Sequence, residues 1–193
     1  MHGAEALTYI PPLQSYDGAE GLPREELLAK LSFNMNMNVP SGLSIDQFKK
    51  VLTGHEEDRN KIMQLSAEYF YYAEKQYNIN GIFLAAIAIH ESAWGTSAIA
   101  VNKKNLFGYG ATDSNPYANA YSYTNYSESI DLVARALAKY YLNPAGTRIY
   151  GGEIASGTYY NGTTISAVNT RYATDKNWGA KVYTYVQKLY GRL

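Results

Sequence analysis

Cysteine is absent from the 193 residues of this chain. Its absence excludes disulfides, thiolate metal sites and a cysteine nucleophile, and it fits an exported bacterial protein that never depended on disulfides. A surplus of either charge is missing too, because 17 basic residues balance 17 acidic ones. Nucleic acid is therefore not an expected partner, since contacts to phosphates require an excess of Lys and Arg.

Long apolar runs and histidine are also scarce. The longest apolar run, residues 82–89, is far shorter than the roughly 20 residues that cross a bilayer. The first residues do not have the pattern of a signal peptide. His90 and Glu91 form half of a zinc-protease motif, but Trp94 stands where the second histidine is needed. We therefore predict no membrane insertion, no metal and no cofactor.

Tyrosine, in contrast, is abundant, with 20 residues against five phenylalanines and two tryptophans. A phenol combines a flat apolar face with a hydroxyl that forms hydrogen bonds, which suits contact with carbohydrate. Many of these tyrosines are also expected to pack at the edge of the core. A chain with no net charge and many tyrosines is suited to binding a polymer that proteins recognise through the hydroxyl and acetamido groups of its sugars.

Helical signals dominate after residue 40. Residues 1–40 are predicted to be an irregular extension with a short helix from Arg24, and residues 41–193 one folded domain. Ser44 predicts a helix N-cap, and helical spacing covers residues 62–77 and 130–141. For the last two helices we predict Ser127 and Asp175 as caps.

The run at residues 81–90 predicts a buried central helix, because alanines favour a helix over a strand and no polar face is present. Residues 105–124 are rich in Gly, Asn, Ser and Tyr, which is typical of a loop or a short hairpin. The predicted fold is mainly α. A helical lobe surrounds the central helix, and a small lobe is irregular or a β-hairpin.

Glu91 follows this apolar run and is the first charged residue after Lys75. Apolar neighbours, the nearby Trp94 and the negative end of the helix dipole all favour the protonated carboxyl. Cleavage of a glycosidic bond needs such a carboxyl, because the leaving oxygen must receive a proton. On spacing alone, a glutamate bonded to local backbone is the more common arrangement.

Three motifs in order resemble the glucosaminidases of glycoside hydrolase family 73. They are His90-Glu-Ser-Ala-Trp-Gly-Thr-Ser97, Lys104-Asn-Leu-Phe-Gly108 and Tyr172-Ala-Thr-Asp175 with Trp178. The resemblance covers about residues 41–193. It implies an α+β lysozyme-like fold with a substrate groove between the two lobes. It also implies hydrolysis of the β-1,4 bond between N-acetylglucosamine and N-acetylmuramic acid in peptidoglycan.

The resemblance also implies roles for single residues. Glu91 matches the general acid, and Tyr172 matches a tyrosine that positions the N-acetyl group or stabilises the transition state. A second carboxylate has no clean match. Asp113 in a loop and Glu128 at a helix start are the candidates for activating water, and each also fits a structural role as a cap. Assistance by the substrate's acetamido oxygen would need neither.

Six aromatic residues are candidates for lining a sugar-binding groove: Trp94, Phe107, Tyr109, Tyr117, Tyr121 and Tyr123. Among them Phe107 is better explained as core, and Trp178, on the apolar stripe of the last helix, is assigned to packing.

The predicted function is that of a peptidoglycan hydrolase, which acts as a monomer on glycan strands outside the cell or in the cell wall. It would be a domain of a larger exported protein such as an autolysin, or a phage lysin. A muramidase or a lytic transglycosylase on the same fold is the alternative enzyme. A wall-binding module without catalysis is the alternative from another class.

Overall fold

The computed structural model describes residues 13–112 and 114–193. Ten α-helices form within this part of the chain: α1 Arg24–Lys30, α2 Ile45–Leu52, α3 Ile62–Leu65, α4 Ala67–Tyr77, α5 Gly81–Ser92, α6 Ala98–Lys103, α7 Pro116–Asn119, α8 Tyr126–Ala136, α9 Ile165–Tyr172 and α10 Trp178–Tyr190. A π-helical turn, Leu137–Tyr141, continues α8, and a 3₁₀ turn spans Tyr150–Gly152. The mainly α prediction is confirmed.

The small lobe, described over residues 105–112 and 114–124, is irregular apart from the short helix α7, so the β-hairpin alternative is wrong. The described residues contain no strand, and their one isolated bridge, Arg148 with Ile154, lies elsewhere. In the lobe, Tyr121 N donates to Tyr109 O and Tyr123 N to Lys103 O. The two bonds end on acceptors on either side of Asn105, so they do not form a regular ladder.

Helix α5 is the centre of the core, as predicted. Residues 82–89 are all fully buried, and each large apolar side chain among them contributes about 1.5–3 kcal/mol through its burial. The Asn80 side chain accepts hydrogen bonds from Ile82 N and Phe83 N and so caps the helix. Gly81 is required for the close approach of α4, because a Cβ there would lie 2.7 Å from Phe70 O. Helices α4 and α10 pack directly against α5.

Residues 13–40 pack onto this core. The predicted helix from Arg24 is confirmed as α1, and Leu27 and Met37 are fully buried. Backbone bonds from Met37 N to Thr163 O and from Asn80 N to Met37 O fix the segment between two distant parts of the chain. Residues 1–12 of the predicted extension lie outside the described residues, and the boundary at residue 40 stays a prediction.

Several helix ends differ from their predicted positions. Ser44 caps α2, as predicted, and also forms a capping box with Gln47. Asn125, not Ser127, caps α8, because the helix begins one residue after it, at Tyr126. Asp175 does not cap α10. The helix follows Asn177, and the Asp175 carboxylate accepts from Asn177 N in the turn before it.

The helix predicted over residues 62–77 is interrupted. Ser66 separates α3 from α4, and Leu65 at the break is 74% exposed instead of contributing to the apolar face. Among the described residues, no helix is long and apolar enough to span a membrane.

Candidate active site

Glu91 lies in the last turn of the central helix, where its side chain is half-buried. After the helix, two consecutive residues, Ala93 and Trp94, have a left-handed backbone conformation. This conformation costs a residue other than glycine about 1–2 kcal/mol. Ser92 stabilises this turn, because its hydroxyl donates to Ala88 O and accepts from Gly95 N. The turn ends the helix directly after the carboxyl.

Trp178 forms the hydrogen bond that orients Glu91. Its Nε1 donates to Glu91 Oε1 at 2.9 Å, and the indole is only 2% exposed. The sequence interpretation of Trp178 as packing is incomplete, because the residue both packs and holds the carboxyl. A buried indole N–H usually finds an acceptor, and this tendency was the available signal for a polar role.

Tyr172, the last residue of α9, stacks on the Trp178 ring at a centroid distance of 4.7 Å. Its hydroxyl is fully buried and has no hydrogen-bond partner in the described part of the chain. Burial, and then the negative charge of Glu91, raises the pKa of Tyr172 well above its usual value. The phenol therefore remains neutral and keeps a proton to donate.

Tyr141 packs behind this pair, with its ring centroid 5.3 Å from that of Tyr172. It ends the π-helical turn and is 2% exposed. Its hydroxyl also lacks a partner among the described residues, and burial raises its pKa. Three aromatic rings thus follow one another away from the Glu91 carboxyl, first Trp178, then Tyr172, then Tyr141.

The two candidates for the second carboxylate remain predictions. Asp113 lies outside the described residues. Glu128 is placed at the start of α8, where its carboxylate accepts from Thr124 N at 3.1 Å and from the Thr124 hydroxyl at 2.5 Å. These bonds close the first turn of the helix, which matches the structural role considered for Glu128.

Three of the predicted sugar-binding aromatics are buried. Trp94 is 6% exposed and lies against His55, with centroids 4.7 Å apart. Phe107 and Tyr109 are in the hydrophobic core. These rings have little free surface for a sugar, because neighbouring side chains already cover them.

The other three predicted aromatics are the more exposed ones of the small lobe. Tyr117 is 45% exposed and Tyr121 42%, while Tyr123 is half-buried. Lys103 Nζ lies 4.8 Å from the centre of the Tyr117 ring. The small lobe therefore presents phenol rings to solvent.

Asn105 organises this lobe, a role that its motif did not reveal. Its amide group donates to Tyr109 O and Tyr121 O, both at 3.0 Å, and its carbonyl accepts from Phe107 N and Tyr109 N. A single buried side chain thus replaces the backbone ladder of a hairpin.

His90 lies beside an aromatic ring. Its ring lies 6.1 Å from that of Tyr185. Within residues 13–112 and 114–193, no group of three His, Cys, Asp or Glu side chains is arranged to hold a metal ion.

The arrangement of helices is that of lysozyme-like autolysin domains. The catalytic domain of the autolysin Auto from Listeria monocytogenes superimposes with a TM-score of 0.52 at 20% identity, over 73% of this chain and 90% of that one. A catalytic mutant of S. aureus Autolysin E in complex with the disaccharide NAG-NAM gives 0.53 at 19% identity, over 86% and 78%. At these identities the likeness defines the fold.

The family follows from sequence. The model of the Glucosaminidase family, described as mannosyl-glycoprotein endo-beta-N-acetylglucosaminidase, matches residues 67–191. A Beta-N-acetylglucosaminidase of Bacillus subtilis is 30% identical over 177 residues, which cover 82% of this chain and 18% of that protein. A Streptococcus pneumoniae protein, provisionally named an endo-beta-N-acetylglucosaminidase, is 29% identical over 134 residues, or 69% of this chain and 18% of that protein.

The chain therefore belongs to the glucosaminidase family of glycoside hydrolases, and the resemblance found in its motifs is confirmed. It spans less than a fifth of the length of these curated relatives.

Proposed function

We propose that this chain is an endo-β-N-acetylglucosaminidase of peptidoglycan. It hydrolyses the β-1,4 bond that follows N-acetylglucosamine and precedes N-acetylmuramic acid. The main support is one arrangement: a half-buried Glu91 at the end of an apolar helix, bonded to Trp178 and adjacent to a neutral Tyr172. Family membership and the NAG-NAM disaccharide in the Autolysin E complex support the choice of substrate.

Glu91 acts as the general acid in this proposal. Its carboxyl proton passes to the glycosidic oxygen while the bond from that oxygen to the anomeric carbon breaks. Positive charge develops on the sugar ring, and water then adds to the anomeric carbon. Tyr172 supplies a neutral hydroxyl that bonds to the acetamido group of the sugar or stabilises the transition state.

Attack on the anomeric carbon takes one of two routes. Either Asp113 or Glu128 acts as a base on the attacking water, or the acetamido oxygen of the substrate attacks first and water then opens the cyclic intermediate. A protein base acting on water inverts the anomeric configuration, whereas acetamido assistance retains it. Proton NMR of the first product anomer distinguishes these routes. An inverted product that disappears in Asp113→Ala but persists in Glu128→Ala would assign the base to Asp113, and the opposite result to Glu128.

The activity is tested by digesting purified peptidoglycan and reducing the fragments with sodium borohydride before mass spectrometry. Reduced N-acetylglucosamine at the new ends is expected. Reduced N-acetylmuramic acid would identify a muramidase, and anhydro ends a lytic transglycosylase. An absence of fragments from folded protein would replace the enzyme with a wall-binding module.

We also propose that the chain works in the cell wall, as part of a larger exported protein. The long relatives support this context, because the matched segment is a small part of each of them. Fractionation of cells that produce the natural full-length protein tests it. Recovery in the wall fraction is expected, whereas recovery only in the cytoplasm would contradict the proposal.

A further inference from the structure

The contact between Trp178 and Glu91 restricts where the acidic proton can lie. An indole N–H donates and never accepts, so Glu91 Oε1 must be the acceptor in this bond. A carboxylic acid carries its proton on one oxygen and is the better acceptor at the other, its carbonyl oxygen. When Glu91 is protonated with this bond intact, the bond therefore favours the proton on Oε2.

Packing on several sides keeps the indole from turning away. One face stacks on Tyr172 at a centroid distance of 4.7 Å and an interplanar angle of 29°. Phe83 of the central helix contacts the indole edge to face, with centroids 6.5 Å apart. At 2% exposure the ring is enclosed by its neighbours, and close packing of this kind restricts rotation of the side chain.

Asn169 on α9 holds the backbone that carries Trp178. No side chain at the N-cap position of α10 accepts a hydrogen bond. Instead, Asn169 Oδ1 accepts from Gly179 N at 2.8 Å, and Asn169 Nδ2 donates to Asp175 O at 2.9 Å. The same Asp175 carbonyl accepts from Trp178 N. One side chain thus ties the end of α9 to the first turn of α10.

The Asp175 side chain completes this support, because its carboxylate accepts from Asn177 N and pairs with Lys181. The Tyr-Ala-Thr-Asp motif and Trp178 therefore form one structural unit. Its tyrosine and its tryptophan stack on each other, and its aspartate shapes the turn between them.

We propose that Trp178 is a positioning residue that directs the acidic proton of Glu91 to Oε2, and that Asn169 holds Trp178 in place for this purpose. The inference rests on the proposed role of Glu91 as general acid. In the reaction, the proton leaves Oε2 for the glycosidic oxygen, which takes the electrons of the broken bond. Oε1 stays bonded to the indole, so the resulting carboxylate does not need to rotate.

The test replaces Trp178 with phenylalanine or, by site-specific incorporation, with benzothienylalanine, an analogue that has sulfur in place of N–H. Turnover is measured on soluble peptidoglycan fragments. Both replacements keep an aromatic ring in the stack and remove the donor. We expect kcat to fall at least about tenfold and KM to change by less than about twofold, because the carboxyl loses its orientation.

Val182→Ala is the matched control, because it shortens a buried apolar side chain on the same helix without changing a polar contact. It should lower the melting temperature and leave kcat within about twofold of the parent. Asn169→Ala should lower kcat in the same direction as Trp178→Phe, because the turn that carries the indole is released.

The outcomes separate this inference from the function on which it rests. Full kcat in the benzothienylalanine protein, combined with an inactive Glu91→Gln, would overturn the role of Trp178 alone. An active Glu91→Gln would overturn the general acid itself. A loss of kcat in Val182→Ala as large as in Trp178→Phe would assign the effect to packing.

Discussion

The site on the helical lobe and the small lobe are built in opposite ways. Glu91 is held by a buried indole, which in turn stacks on a buried phenol. The small lobe exposes two of its tyrosines and is organised by the Asn105 side chain, without strands in its described residues. We propose that the difference reflects a division of labour, in which the rigid core positions the acid and the irregular surface contacts the glycan strand.

Among the variants that compare the two regions, Tyr172→Phe should have the largest effect. The variant should lose at least about tenfold in kcat, because a hydroxyl beside the reacting carboxyl is removed. Its melting temperature should stay the same or rise slightly, since the hydroxyl has no partner in the folded protein. Steady-state kinetics and thermal unfolding measure the two quantities.

Tyr141→Phe is the control for this variant, because it removes an equally buried hydroxyl that lacks a partner. It should keep kcat within about twofold of the parent. Equal losses in both variants would mean that the active-site role of Tyr172 is not specific.

The stability of the helical lobe should depend on pH through Asp131. This carboxyl is fully buried on α8 and accepts from the Tyr77 hydroxyl at 2.5 Å. Burial raises its pKa from 3.8 to about 7, although Tyr77 and Arg135 oppose the shift. The folded state therefore holds this proton more tightly than the unfolded state, and the resulting stabilisation is lost as the pH rises from about 4 to about 7.

Asp131→Asn tests this effect, because an amide of the same shape does not titrate. The free energy of unfolding is measured with urea at pH 5 and at pH 8. Between pH 5 and pH 8 it should decrease more in the parent than in the variant. A parallel change in both proteins would contradict the assignment to Asp131.

The smallest effect is expected on the exposed surface of the small lobe. Tyr117→Ala should raise KM on long glycan strands about threefold and leave kcat and stability nearly unchanged, because the ring is 45% exposed. Tyr160→Ala, at 39% exposure outside the lobe, is the matched control and should leave KM unchanged. Equal KM values for the two variants would remove Tyr117 from the binding surface.

The sequence was sufficient to predict the central helix, because its alanines favour a helix over a strand and the absence of a polar face indicates burial. The cap at Ser44 could be predicted for a similar reason, since the side chain acts within its own turn. The cap of α8 was misplaced because Asn125 and Ser127 are both good capping residues. The sequence left a loop and a hairpin open for residues 105–124, because alternating tyrosines also occur in a loop anchored by an asparagine.

The hydrogen bond at Glu91 could not be predicted from local pattern. Its donor and acceptor are 87 positions apart, and only the packing of α10 on α5 brings them together. Trp178 lies on an apolar stripe, so periodicity indicates its burial and gives no information about its N–H. The motifs predict which residues act in the site, and the fold shows what each of them contacts.

Glu91→Gln gives the most direct test of the central claim. The variant keeps the size of the side chain and an acceptor for Trp178 but has no acidic proton. Reducing ends released from purified peptidoglycan should fall at least about 100-fold relative to the parent, while the melting temperature stays close to that of the parent. A folded Glu91→Gln protein that releases N-acetylglucosamine ends at the parental rate would contradict the assignment of Glu91 as the acid.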